Sequence, residues 1–221
     1  MRFDEAWLVH GLFILIPLWL SLSVHEWAHA WTAWRLGDDT AQRLGRMTLN
    51  PLAHIDPIGT LLLPLLGIPF GWAKPVPVQP HRFHPSVNMR TGMMITALAG
   101  PIANLVLAAA CLALLATLVH FPRAPAGPGQ KAVEFIIQMI LLNVILAAFN
   151  ALPIPPLDGS RVADWLMPEV LRPAWQGLCR LGPFALMAVI FLPRAAGVSL
   201  FEWPIKGTFY LIQQVMTLAG G

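Results

Sequence analysis

Trp7-Leu8-Val9-His10-Gly11-Leu12-Phe13-Ile14-Leu15-Ile16-Pro17-Leu18-Trp19-Leu20 and, just beyond it, His25-Glu26-Trp27-Ala28-His29 decide how this chain is read. The first stretch is almost wholly apolar and belongs in lipid. The second places three ionisable residues in five positions at its end. Ionisable groups inside a membrane are costly, so such a cluster marks a functional site. On a helix His25 and His29 stand four apart on one face, and both imidazoles reach one metal ion. Glu26 lies about 100° round from His25, close enough to touch a metal-activated water without binding the metal itself. The pattern points to metal-assisted hydrolysis inside a bilayer.

Composition supports the membrane setting. Of 221 residues, 57% are hydrophobic and only 11% charged, against about 25% charged in soluble domains. The mean hydropathy is +0.64. A formal charge of +3 does not imply nucleic acid, because Lys and Arg are spread through the connections between apolar segments. Trp7, Trp34, Trp72, Trp175 and Trp203 suit an interfacial belt or internal packing. Cys111 and Cys179 have no partner spacing and are expected to be small buried hydrophobes without a disulfide. No cleavable leader is expected, since the first apolar segment runs into the metal motif.

The organisation expected is one membrane domain over residues 1–221, with a catalytic core at about 5–160 and C-terminal membrane segments at about 174–218. It is an α-helical polytopic fold with about five (four to six) transmembrane segments. Segments fall at about 5–36, 91–120, 132–152 and 174–192, and a last apolar stretch at 200–218 either spans or lies flat. Residues 58–70 are apolar but too short to span as a helix. The Pro-rich run 71–78 is extended. A short membrane-associated β-hairpin or sheet is therefore expected after the first segment.

Nine Lys and Arg (Arg35, Arg43, Arg46, Lys74, Arg82, Arg90, Arg161, Arg172, Arg180) fall on one side of these segments, and four (Arg2, Arg123, Lys131, Arg194) on the other. The richer side is cytoplasmic by the positive-inside bias. From Trp7 to His25 a helix climbs about 27 Å, so the metal sits within the bilayer, nearer its cytoplasmic edge.

A catalytic zinc site usually has three protein ligands and water. Asp158, in the turn Pro153-Ile154-Pro155-Pro156-Leu157-Asp158-Gly159, ends a membrane segment on the side of His25. It is also well suited simply to form a turn before glycine, and spacing leaves both readings open.

His25-Glu26-x-x-His29 in a membrane segment, Gly100-Pro101-Ile102-Ala103-Asn104 and Asn150-Ala151-Leu152-Pro153 through Asp158-Gly159 resemble the three signatures of the site-2 protease family of intramembrane zinc metalloproteases. The run 44–57 and Gly71-Trp72-Ala73-Lys74-Pro75-Val76-Pro77-Val78 further resemble its compact bacterial branch without PDZ or CBS domains. The resemblance implies one catalytic zinc ion, with Asp158 as its third ligand. It also implies a membrane-associated sheet after segment one, to which an unwound substrate adds as a strand.

Glu26 would act as base and acid. Asn104 is a candidate donor to the oxyanion, or else an interhelical hydrogen bond. Asn143 and Asn150 have weaker cases than Asn104, Asn150 serving as a cap of its turn or a substrate contact; Lys74, Val76 and Asn150 are candidate substrate contacts. The substrate class is a transmembrane protein or peptide, cleaved within or near its membrane segment, either to release an anchored regulator or to clear a signal-peptide remnant. The expected location is the bacterial inner membrane, multi-pass, with the site toward the cytoplasm. The lipid bilayer is a partner, and a homo-oligomer or regulatory membrane partner is compatible. The competing class is a membrane zinc-binding protein or transporter without peptidase activity, which would want several sites along a path and repeated halves.

Overall fold

The computed structural model describes residues 5–62, 72–120, 128–182, 184–189 and 202–219. Among the described residues four long helices carry the fold: α1 (Glu5–Arg35), α3 (Met89–His120), α4 (Pro128–Asn150) and α7 (Glu202–Ala219). Shorter ones are α2 (Thr40–Arg43), α5 (Gly159–Leu166) and α6 (Arg172–Leu181), and residues 184–189 are also helical. Met89–His120 and Gly129–Asn150 are long and apolar enough to cross a membrane. At about 1.5 Å per residue, the 31 residues of α1 span about 46 Å. That is longer than a hydrocarbon core of about 30 Å.

The boundaries have local causes. Asn88 Oδ1 accepts the Arg90 amide at 2.9 Å and caps α3. α1 stops at Gly37, whose φ of 111° is left-handed backbone that glycine adopts freely. The expected span 174–192 is broken: α6 ends at Gly182, φ 39°. Cys111 is half-buried and Cys179 exposed, both free, so only the first approaches the buried role expected of it. Trp175 is buried and donates to Asp164 at 3.1 Å.

α3 is the central helix and packs against α1, α4, α5 and α7. Its buried positions include Gly92, Thr96, Gly100, Asn104 and Ala108, a ladder of small or polar residues every four positions. Lipid supplies no hydrophobic drive for helix pairing, so close approach along small residues is what holds such helices together. Ile102, Leu105 and Val106 on the same helix are exposed, as lipid-facing residues would be. Elsewhere Leu115, Ile136, Ile140 and Ile212 close an apolar core between α3, α4 and α7.

The β-hairpin expected after the first segment is not formed: there is no strand among the described residues. Residues 57–62 wind into a π-helical turn, and 72–79 run as a strap with no sheet partner. Residues 63–71 of that expectation lie outside the described residues. Pro75 and Pro77 have no N–H, and the Lys74, Val76 and Gln79 amides go to acceptors outside any sheet. Lys74 N–H goes to the His54 carbonyl at 2.9 Å, and Val76 N–H to Glu26 Oε2 at 2.8 Å. The Lys74 carbonyl receives Arg46 at 2.6 Å. Beyond the prolines, the fully buried Asp38 carboxylate receives the Gln79 amide at 2.6 Å and the Thr40 amide at 3.0 Å. The strap is held by side chains and isolated carbonyls, and none of these bonds belongs to a sheet ladder.

Candidate metal centre

His25, Glu26 and His29 are all buried on α1. Nε2 of His25 and Nε2 of His29 are 3.0 Å apart. Asp158 Oδ2 lies 3.1 Å from the first and 3.2 Å from the second. The two rings are nearly perpendicular, at 87°. Three ligands about 2.1 Å from a tetrahedral zinc stand about 3.4 Å apart, so a small outward adjustment would seat one. Among the described residues, these three form the one group of His, Cys, Asp and Glu close enough to hold an ion.

Protonation decides what the cluster wants. His29 Nδ1 faces the Thr96 carbonyl at 2.7 Å. A carbonyl only accepts, so this nitrogen carries the proton. His25 Nδ1 faces Asn104 Oδ1 at 2.6 Å. The Asn104 amide nitrogen is fixed by the Ser21 carbonyl at 3.2 Å, so its oxygen is the atom turned to His25. In the neutral imidazoles both Nε2 atoms are therefore bare, and they converge on a carboxylate oxygen that has no hydrogen bond of its own. Three acceptors within about 3 Å repel unless a cation sits among them. Two imidazole nitrogens and one carboxylate, with outer nitrogens anchored on a carbonyl and an amide, are a donor set that fits zinc.

The turn carrying Asp158 is built by backbone: Leu157 N–H bonds the Ile154 carbonyl at 2.8 Å, and Arg161 N–H the Asp158 carbonyl at 2.9 Å. The Asp158 side chain makes no cap for α5. A turn-forming role therefore does not account for this carboxylate. Gly159 is required there, because a Cβ would lie 2.2 Å from the Ala151 carbonyl oxygen. Gly100 plays the matching part on α3: a Cβ would meet His25 Cε1 and His29 Nε2 at 2.5 Å.

Asn104, the candidate oxyanion donor, has its oxygen on His25 Nδ1 and its amide protons on the Ser21 carbonyl and Asn143. It is fully buried against the outer nitrogen of His25, a position from which it orients that ligand. Glu26 instead faces the strap through Val76 N–H. The Lys74 amide and carbonyl are both engaged within the chain. Asn150 closes α4, donates to the Leu146 carbonyl at 3.0 Å, and with Asp158 lines a cavity of about 260 Å³. Ala97, Pro101, Val162, Ala163 and Leu166 form its apolar walls. Sequence reading missed Thr96, which contributes through a backbone carbonyl that leaves no side-chain signature, and Ser21, which contributes through both its carbonyl and its hydroxyl, and it undervalued Asn143.

This is a helical protein with a zinc-hydrolase centre between two of its long helices. The sequence profile of Peptidase family M50 matches residues 126–190. The chain is 36% identical over 194 residues to YwhC of Bacillus subtilis, provisionally named a zinc metalloprotease, covering 87% of this chain and 85% of that one. It is 38% identical over 169 residues to Rip2 of Mycolicibacterium smegmatis (73% of this chain, 61% of that one) and 35% identical over 187 residues to Rip2 of Mycobacterium tuberculosis (82% and 66%), proteins named in the same provisional way. No solved structure matches. The chain belongs to the M50, or site-2 protease, family of intramembrane zinc metalloproteases.

Proposed function

We propose that this chain cuts peptide bonds within or beside transmembrane segments of membrane proteins, using one zinc ion held by His25, His29 and Asp158. The observation that carries this reading is the convergence of two unprotonated Nε2 atoms and an unpartnered carboxylate oxygen beside a buried Glu26. Zinc bound there supplies Lewis acidity to a peptide carbonyl and to the attacking water. Glu26 takes the proton from that water and hands it to the leaving amine. Its Oε2 is held by the Val76 amide, and Oε1 is the oxygen that meets the water. Val76 and Lys74 then border the substrate on one side, and Asn150 and the apolar cavity on the other. Asn104 holds His25 in the tautomer that leaves Nε2 to the metal. Charge bias supports a multi-pass protein of the cell membrane with this site toward the cytoplasm.

The test is cleavage of a reporter carrying one transmembrane segment, in zinc-loaded proteoliposomes. Cleavage should occur within or next to that segment and vanish in Glu26→Gln. Undiminished cleavage in Glu26→Gln, or cleavage confined to soluble chains, would refute the proposal.

A further inference from the structure

Behind the metal ligands lies a chain of amides whose direction is fixed at both ends. The Met139 carbonyl on α4 can only accept, so the group 2.8 Å from it is the amide nitrogen of Asn143. The same nitrogen donates to Ser21 Oγ at 2.8 Å. Asn143 Oδ1 is thereby turned to Asn104 and receives its Nδ2 at 2.7 Å. The second Asn104 proton goes to the Ser21 carbonyl at 3.2 Å, which leaves Asn104 Oδ1 to accept from His25 Nδ1 at 2.6 Å. Asn104 and Asn143 are both wholly buried, so no solvent water relaxes the chain. If the Asn143 amide turned over, its oxygen would face the Met139 carbonyl and its nitrogen would face the nitrogen of Asn104. Asn104 would be pressed to turn in its place and offer a donor to His25, which selects the Nε2–H tautomer that cannot bind metal.

We infer that Asn143, with Ser21, is a positioning residue of the metal centre: acting through Asn104, it decides which nitrogen of His25 carries the proton. The inference rests on the zinc-hydrolase reading of His25, His29 and Asp158. It adds that α4, which contributes no side chain to the ligand cluster, sets the tautomer of one of its two histidines.

Zinc affinity of the full chain in nanodiscs, measured by competition with a fluorescent chelator, tests this together with the visible spectrum of the cobalt-loaded protein. Asn143→Leu, which removes the acceptor for Asn104, should weaken zinc binding about tenfold, the lower end for second-layer partners of a ligand, and alter the cobalt spectrum. Asn143→Asp keeps that acceptor and should stay within about threefold of wild type even where it lowers thermal stability. Asn104→Asp added to Asn143→Leu should recover most of the loss, because either carboxylate oxygen accepts from His25 whichever way it turns.

Wild-type affinity in Asn143→Leu would overturn the inference. So would an equal loss in Asn143→Asp with no recovery in the double variant, which would show packing alone. Should Asn143→Leu fail to fold, ¹⁵N-histidine spectra of the metal-free wild type decide, since a His25 that is mainly Nε2–H excludes this role. These readings do not involve peptide cleavage. A wild type that orients His25 as described yet cuts no membrane reporter would fail the proposed function and leave this inference standing.

Discussion

Replacing Gly100 with alanine adds one carbon atom and should empty the zinc site. The new Cβ would stand 2.5 Å from His29 Nε2 and from His25 Cε1, where ordinary contact begins at 3.4 Å. Something must yield by the difference, about 0.9 Å. The atoms in the way are a ligand nitrogen and the carbon beside another, on rings already held by the Thr96 carbonyl and by Asn104. Zinc–ligand distances tolerate about 0.2 Å, so the shift exceeds that tolerance several-fold. Zinc affinity should fall at least about a hundredfold, about 2.7 kcal/mol. Helicity should hardly change, because alanine gains about 1 kcal/mol over glycine in a helix, offset in part by crowding against Pro101. Chelator competition gives the affinity and circular dichroism the helicity. Gly177→Ala is the control, since a Cβ there meets nothing within 4 Å. Zinc affinity within about threefold of wild type in Gly100→Ala would refute the close-approach reasoning.

His25→Ala, His29→Ala and Asp158→Ala should each abolish reporter cleavage and release zinc, whereas Glu26→Gln should abolish cleavage with zinc retained; full zinc occupancy with near-normal turnover in Asp158→Ala would remove it from the site. Chelation should stop cleavage in the wild type and added zinc restore it, and activity that survives complete metal removal would exclude a zinc mechanism. Single cysteines at 124–129, in a chain lacking Cys111 and Cys179, should label from outside the cell and those at 42–47 or 79–86 should not; reversed accessibility would turn the assigned orientation over. Asp38→Ala strands the Gln79 and Thr40 amides and should cost about 3 kcal/mol, read as a lower Tm and as proteolysis near residues 72–84. Unchanged protease resistance would mean that Asp38 does not anchor the strap.

The parts of the site that follow from side-chain periodicity were legible in the sequence. A four-residue spacing on an apolar helix puts His25 and His29 together, whereas spacing left Asp158 open between ligand and turn former, and only the family resemblance pointed to it as a ligand. The strap was half legible. Pro75 and Pro77 do enforce extended backbone, but extension is not pairing. The partners of 74–79 are Glu26, Arg46, His54 and Asp38, none of which a local pattern reveals. Asn104 was found and Asn143 undervalued for one reason: a buried amide in a membrane helix reads the same whether it joins two helices or orients a ligand. Only the direction of its hydrogen bonds separates the two. The break at Gly182 was signalled by the Gly182-Pro183 pair and by Gln176, Gly177 and Arg180 before it, which the apolar average over 174–192 outweighed.

The ladder Gly92, Thr96, Gly100, Asn104 and Ala108 sets what kinds of change this protein can absorb. Ile102, Leu105 and Val106 look outward, and any apolar side chain that dissolves in acyl chains serves there. Ladder positions obey a different rule, because the space between α1 and α3 admits no extra atoms around Gly100. A saturation library across α3 would therefore read as a ruler, with intolerant positions marked off every four residues and permissive ones between. Bulk, more than polarity, would be what is rejected at Gly92, Gly100 and Ala108, while hydrogen-bonding pattern would be what is rejected at Asn104.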